Sequence, residues 1–175
     1  MIEYWDLYDK HKKKIKKVVK RGDKLSNDEF HLVVNSWILN DEGEFLITQR
    51  ASTKSHPLMW ECTGGSVLKG EESLDAAIRE IKEEIGIDVD KDNANFIGTT
   101  LRYYKDCPDI IDVWLFRCNV NIKDTVLQKD EVNDIMWADK NTILKLYFDN
   151  KFEATSFFGE AINFDIDGAY SSPFF

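Results

Sequence analysis

The chain has 175 residues and a formal net charge of −9, with 43% hydrophobic and 13% aromatic residues. That is enough apolar material for one folded domain with a sizeable core, and it excludes a disordered acidic chain. No apolar run approaches about 20 residues, so no membrane span is expected, and MIEYWDLYDK is too acidic and aromatic for a signal peptide.

The charge is uneven. Residues 1–24 carry nine Lys/Arg against four Asp/Glu, a net of +5, which leaves −14 for the rest. An acidic body argues against a nucleic acid polymer as partner. The basic run KHKKKIKKVVKRGDK has three readings: an amphipathic helix on anionic lipid, a nucleic-acid patch, or a strand with a lysine-rich polar face. Only Ile15, Val18 and Val19 are apolar within it, too few for a membrane anchor. The strand is favoured, paired with residues 4–8 as an N-terminal β-hairpin whose lysines guard an edge.

An apolar run follows at residues 31–39, then the turn Asn40-Asp41-Glu42-Gly43 and a strand at residues 45–50. After a loop holding Pro57, a short strand is expected near residues 61–63. Gly64-Gly65 and Gly70 mark tight backbone positions. Ser73 is the expected N-cap of a helix over residues 74–85, with Gly86 just past its end. Further strands are expected at 96–104, 113–120 and 134–137, and a helix at 141–148 capped by Asp139. The order is mixed, which suggests a mixed sheet covered by helices. Residues 152–175 form a Phe-rich C-terminal extension that could pack over the domain, reach a partner subunit or line a pocket; packing is favoured, and a homodimer stays open. Cys62, Cys107 and Cys118 are odd in number and form no CxxC pair, as expected for thiols of a reducing cytoplasm.

The helix over residues 74–85 carries the chemistry. Leu74, Ala77, Ile78, Ile81 and Ile85 make one face at helical spacing. Glu80, Glu83 and Glu84 fall within an arc of roughly 100° on the other. Like charges at i,i+4 repel. Hard cations take oxygen ligands, so a divalent ion would offset the repulsion, although a solvated acidic face is the ordinary reading of such spacing. Gly65 and Gly70 have the separation of a P-loop, but Glu71-Glu72 stands where that motif needs Lys-Ser/Thr. Phosphate would therefore arrive with a cation rather than directly.

Residues 65–87 match the Nudix signature at all nine defined positions: Gly65, Glu71, Arg79, Glu80, Ile81, Glu83, Glu84, Gly86 and Ile87. The chain thus resembles the Nudix hydrolases from about residue 3 to residue 146. The resemblance implies an α/β fold, an α/β/α sandwich around a mixed sheet, and cleavage of a nucleoside diphosphate linked to another group. It implies Mg2+ or Mn2+ on Glu80, Glu83 and Glu84, with Arg79 holding one of the acids. Gly65 and Glu71 would shape the loop. Glu131, just before a predicted strand, is the candidate for a further acid, and a solvated loop acid is the equal alternative. The substrate would be a small diphosphate.

Substrate identity is weakly encoded. Trp37, Trp60, Tyr103, Tyr104 and Trp114 could stack on a base, although core packing suits most of them. Arg50, Lys54 and Arg102 could meet phosphate. A tyrosine at position 103, sixteen residues past the signature, resembles the dinucleoside polyphosphate branch. The segment WDLYDKHKKKI, followed by RGDKL, HLVVNSWILNDEGEFLITQR and PLMW, resembles isopentenyl diphosphate isomerases. In those the catalytic cysteine would fall at Gly64 and a metal-binding histidine at Ser66, with Cys62 two residues early. A Nudix-fold binding module without turnover is a third alternative.

Overall fold

The computed structural model describes residues 2–104, 106–153, 159 and 161. Its elements run β1 (Tyr4–Tyr8), β2 (Lys14–Lys20), β3 (Phe30–Leu39), β4 (Phe45–Arg50), β5 (Trp60–Glu61), β6 (Thr63–Ser66), α1 (Ser73–Ile85), β7 (Ala94–Arg102), β8 (Asp109–Arg117), β9 (Val132–Ala138) and α2 (Lys140–Phe148). The sheet is mixed, as expected. β3 pairs in parallel with β8 over its whole length and antiparallel with β1, β6 and β4.

β3 is buried on both faces, which is why it reads as a nearly unbroken apolar run rather than an alternating one. Phe30, Leu32, Val34 and Ile38 enter a core with Ala76, Ala77, Ile81 and Ile85 of α1. Trp37 and Leu39 point the other way, into a core with Ile143 of α2 and Phe152. Helices thus cover the two faces of the sheet. Phe152 stacks on Trp37 at 6.0 Å and 20°, and Ala161 is buried in the same core. The rest of the C-terminal extension lies outside the described residues.

Most expected elements are present with shifted ends. The strand expected near residues 61–63 is two: β5 pairs with β4, and β6 pairs with β3. Gly64 and Gly65 therefore lie in a ladder rather than a loop. The strand expected from residue 113 begins at Asp109. Ser73 does not cap α1; Glu72 holds that position without a side-chain cap, and the Ser73 hydroxyl instead accepts from Trp114 Nε1 at 2.9 Å. Gly86 closes α1 in the left-handed conformation, and Asp139 caps α2 by accepting from the Thr142 amide at 2.7 Å.

The basic run is a strand. β2 pairs antiparallel with β1 and forms the outer edge of the sheet. Val19 joins Trp5, Leu7 and Leu25 in a small core, while most of the lysines stay exposed. Lys12, at the hairpin tip, donates to the fully buried Asp112 of β8 at 2.6 Å, and Asp112 also accepts from Thr99 Oγ1. The Lys12 side chain is 35% exposed and Thr99 remains as a donor to Asp112, so Lys12→Met is expected to cost about 1–3 kcal/mol, the range for a buried polar group that loses a partner. A urea midpoint unchanged from wild type would show that the pair contributes nothing.

Candidate active site

β3 gives way from β6 to β4 along one edge, and β4 then diverges to pair with β5 and β9. The C-terminal half of α1 lies against this fork, and a cleft of about 340 Å3 opens there. Arg79, Glu80, Glu83 and Glu84 line it, with Glu131 and Lys54 from the far side. The acids expected on α1 and the acid expected before β9 are therefore brought together.

Arg79 organises the near wall. Its Nε and Nη2 donate to the two oxygens of Glu71 at 2.8 and 2.9 Å, and Nη2 also donates to the Ser66 carbonyl. Nη1 donates to Glu80 at 2.8 Å and Glu83 at 2.9 Å. The expected single acid partner is thus three. One planar fork ties the loop to the helix, which lysine's point charge cannot do. Burial works against the guanidinium charge, but Glu71 and Glu80 outweigh it and keep Arg79 ionised. Glu71 in turn accepts from the Leu68 amide at 3.0 Å. Arg79→Lys is expected to lower kcat about 10- to 100-fold, the usual effect of removing a group that orients ligands. A rate within twofold of wild type would refute the orienting role.

Gly65 is required by a close approach. A Cβ there would lie 2.3 Å from the carboxyl carbon of Glu80. Burial raises the Glu80 pKa, Glu83 and Glu3 add to the rise, and Arg79 opposes it.

Glu84 corrects the expectation of an exposed acidic face. Its relative exposure is 7%, and among the described residues no hydrogen bond or ion pair reaches its carboxylate. Burial drives its pKa well above the usual glutamate value; Glu80, Glu61 and Glu131 push the same way, and Lys54 opposes. Glu83, with its side chain 53% exposed, is the acid that does face solvent.

The chain matches the NUDIX domain model over residues 29–157. It belongs to the Nudix family. A Listeria innocua protein named as an uncharacterized Nudix hydrolase is 35% identical over 153 residues, covering 86% of this chain and 88% of that one. An isopentenyl-diphosphate Delta-isomerase of Shigella boydii is 30% identical over 122 residues, covering 65% and 64%. The crystal structure of a Deinococcus radiodurans protein superposes with a TM-score of 0.70 at 18% identity, covering 91% of this chain and 97% of that one. It has the same fold.

Nudix hydrolases generally use divalent metals such as Mg2+. The residues fit such an ion in kind. The donors are carboxylates with no thiolate or imidazole among them, which suits a hard cation, and no described group donates to the buried Glu84 carboxylate. Among the described residues no three such groups stand as a ready-made cage, and Arg79 and Lys54 engage Glu80, Glu83 and Glu131. No described helix is long and apolar enough to cross a membrane.

Beyond Gly65 the Nudix cleft continues into a second pocket of about 400 Å3, sharing Val33, Arg50, Gly64, Gly65 and Arg102 with the first. Arg50 donates to both oxygens of Glu61 at 2.8 and 2.7 Å. Burial raises the Glu61 pKa, and Arg50 opposes the rise. Glu61 was not expected here: a lone acid on a two-residue strand carries no sequence signal. Of the aromatics, Tyr104 lines this pocket. Trp37 is in the core, and Tyr103 lies edge-on to Phe30 at 5.4 Å and 81°.

Proposed function

We propose that this Nudix protein hydrolyses the diphosphate linkage of a nucleoside diphosphate joined to another group, with Mg2+ or Mn2+ held by Glu80, Glu83 and Glu84. The observation that carries this reading is the Glu84 carboxylate, buried near Glu80, Glu61 and Glu131 with no described group donating to it. A site that keeps an uncompensated buried charge costs stability, and a divalent cation is the ligand that would reverse that cost. When bound, such an ion supplies neutralisation of the diphosphate charge. The protein's own part is placement. Arg79 fixes Glu80 and Glu83, and Gly65 leaves room for the Glu80 carboxylate. Lys54 pairs with Glu131 in the cleft lining, and in this reading Glu131 takes the proton from attacking water.

The isomerase reading is disfavoured at one position. A Cβ on Gly64 would lie 2.3 Å from the Val34 carbonyl oxygen, so this backbone has no room for the isomerase cysteine. Cys62, two residues earlier, is largely buried but lines the second pocket, so its variant separates the two readings. A panel of nucleotide and prenyl diphosphates with Mg2+, read by phosphorus NMR, tests the proposal. Monophosphate products from a nucleoside diphosphate derivative, unaffected by Cys62→Ala, are expected. Conversion of isopentenyl to dimethylallyl diphosphate, lost in Cys62→Ala, would overturn it, and silence across the panel would favour a binding module.

A further inference from the structure

We infer that the N-terminal hairpin is a positioning element for the site, with Asp6 holding the turn that delivers Glu71 to Arg79; its consequence for the ion rests on the proposed metal site. The hairpin precedes the matched domain, which begins at residue 29, yet it grips the segment between β6 and α1. Backbone amides in such a segment need partners as much as those in a strand. Val67 donates to the Leu32 carbonyl at 2.9 Å, and Leu68 to the Glu71 carboxylate at 3.0 Å. The Glu71 amide closes a turn by donating back to the Leu68 carbonyl at 3.0 Å. The two amides in the middle of that turn are taken by β1. Lys69 donates to the Tyr4 carbonyl at 2.8 Å, and Gly70 donates to Asp6 Oδ2 at 2.8 Å. Gly70 has a φ of +81°, the left-handed position that such turns give to glycine.

The site lies one residue further on. Glu71 takes Nε and Nη2 of Arg79, and Nη1 of the same guanidinium engages Glu80 and Glu83. A carboxylate on a backbone N–H makes a shorter and stronger bond than a neutral acceptor does. Asp6 is itself fixed: its side chain is 14% exposed, and Lys14 of β2 donates to the same oxygen at 3.0 Å. A paired strand is a firmer support than a loop. Without this tie Gly70, the least restricted of residues, is free to turn its amide away, and Glu71 loses its fixed approach to Arg79. A hairpin that only guarded the sheet edge would need its lysines; it would have no use for an acid aimed at a loop amide.

The experiment reads solvent exchange of the Arg79 Nε–H by NMR on the full chain in EDTA, beside Mn2+ titration without substrate by electron paramagnetic resonance. Asp6→Ala is expected to speed the Arg79 exchange at least about fivefold, the effect of losing one net hydrogen bond. It is expected to weaken Mn2+ binding about 10-fold, the lower end of the range for residues that orient metal ligands. Asp6→Asn keeps an acceptor oxygen for Gly70 and should hold both readings near wild type. Lys14→Gln removes the ion pair but leaves the Gly70 bond, and should do the same. Unchanged Arg79 exchange in Asp6→Ala would overturn the inference, as would faster exchange shared by the Ile81 amide, which marks general loosening of the fold. Equal losses in Asp6→Asn or Lys14→Gln would also overturn it, by assigning the effect to charge. An unchanged Mn2+ affinity in Asp6→Ala would refute the consequence for the ion. The two readings fail separately: a wild type that binds no Mn2+ refutes the metal site, while the Arg79 exchange still decides what the hairpin does.

Discussion

Glu84→Gln is expected to lower kcat by about 10²–10⁴-fold, the loss of several kcal/mol that a metal ligand's removal brings, without lowering the stability of the metal-free protein. The two halves come from one fact. The carboxylate is buried and no group among the described residues donates to it, so its charge opposes folding until a cation is present. Glutamine keeps the shape and discards the charge. The sign of the pH dependence follows. The folded pKa of Glu84 lies well above its ordinary value of 4.5, so the folded state holds this proton more tightly than the unfolded state. Stability from that proton is complete below 4.5 and is lost as pH rises toward the folded value. In EDTA, wild type should therefore lose stability relative to Glu84→Gln as pH rises above 4.5. Urea midpoints of both proteins at pH 4 and pH 8, beside initial rates at saturating Mg2+, measure both parts. A variant with near wild-type kcat would remove Glu84 from the chemistry; one that unfolds more easily than wild type at pH 8 in EDTA would remove the buried-charge argument.

Removal of divalent metal is expected to have an effect at least as large. Charge neutralisation on the reacting phosphates contributes several kcal/mol, or about 10³-fold or more in rate, so EDTA should reduce hydrolysis to background and added Mg2+ should restore it. A ligand that binds only the folded state also raises its stability. Mg2+ should therefore raise the melting temperature of wild type and raise that of Glu84→Gln by much less. This second readout keeps the test independent of which substrate is used. Full turnover in chelated buffer would refute the proposed mechanism, and an identical Mg2+ shift in both proteins would place the ion elsewhere.

The sequence made α1 and its box readable because both follow local rules: a helical period, a glycine stop and acids at fixed intervals. It did not show that Glu83 and Glu84, adjacent in the chain, have opposite exposures. That difference is set by the fork between β6 and β4, a long-range feature. The early part of β8 was missed for a related reason. Asp109 and Asp112 look like loop residues in DIIDVW, yet they are buried carboxylates whose counter-charges come from elsewhere in the chain, Arg102 at the end of β7 and Lys12 at the hairpin tip. Ser73 followed the rule for a helix cap and lost its hydroxyl to a tryptophan 41 residues away.

The contact between Gly65 and Glu80 bears on how this chain tolerates change. Most positions in a core are constrained by what they hold together, and variants there are purged because the protein fails to accumulate. Position 65 is constrained by the Glu80 carboxylate that rests where a Cβ would be. A methyl group there meets the end of a side chain that can swing aside, so the fold would persist while the carboxylate moved. A screen for expressed protein would pass alanine at this position, whereas a screen for turnover would reject it. The family's glycine would then record selection on chemistry alone, hidden inside a strand where conservation is ordinarily credited to packing.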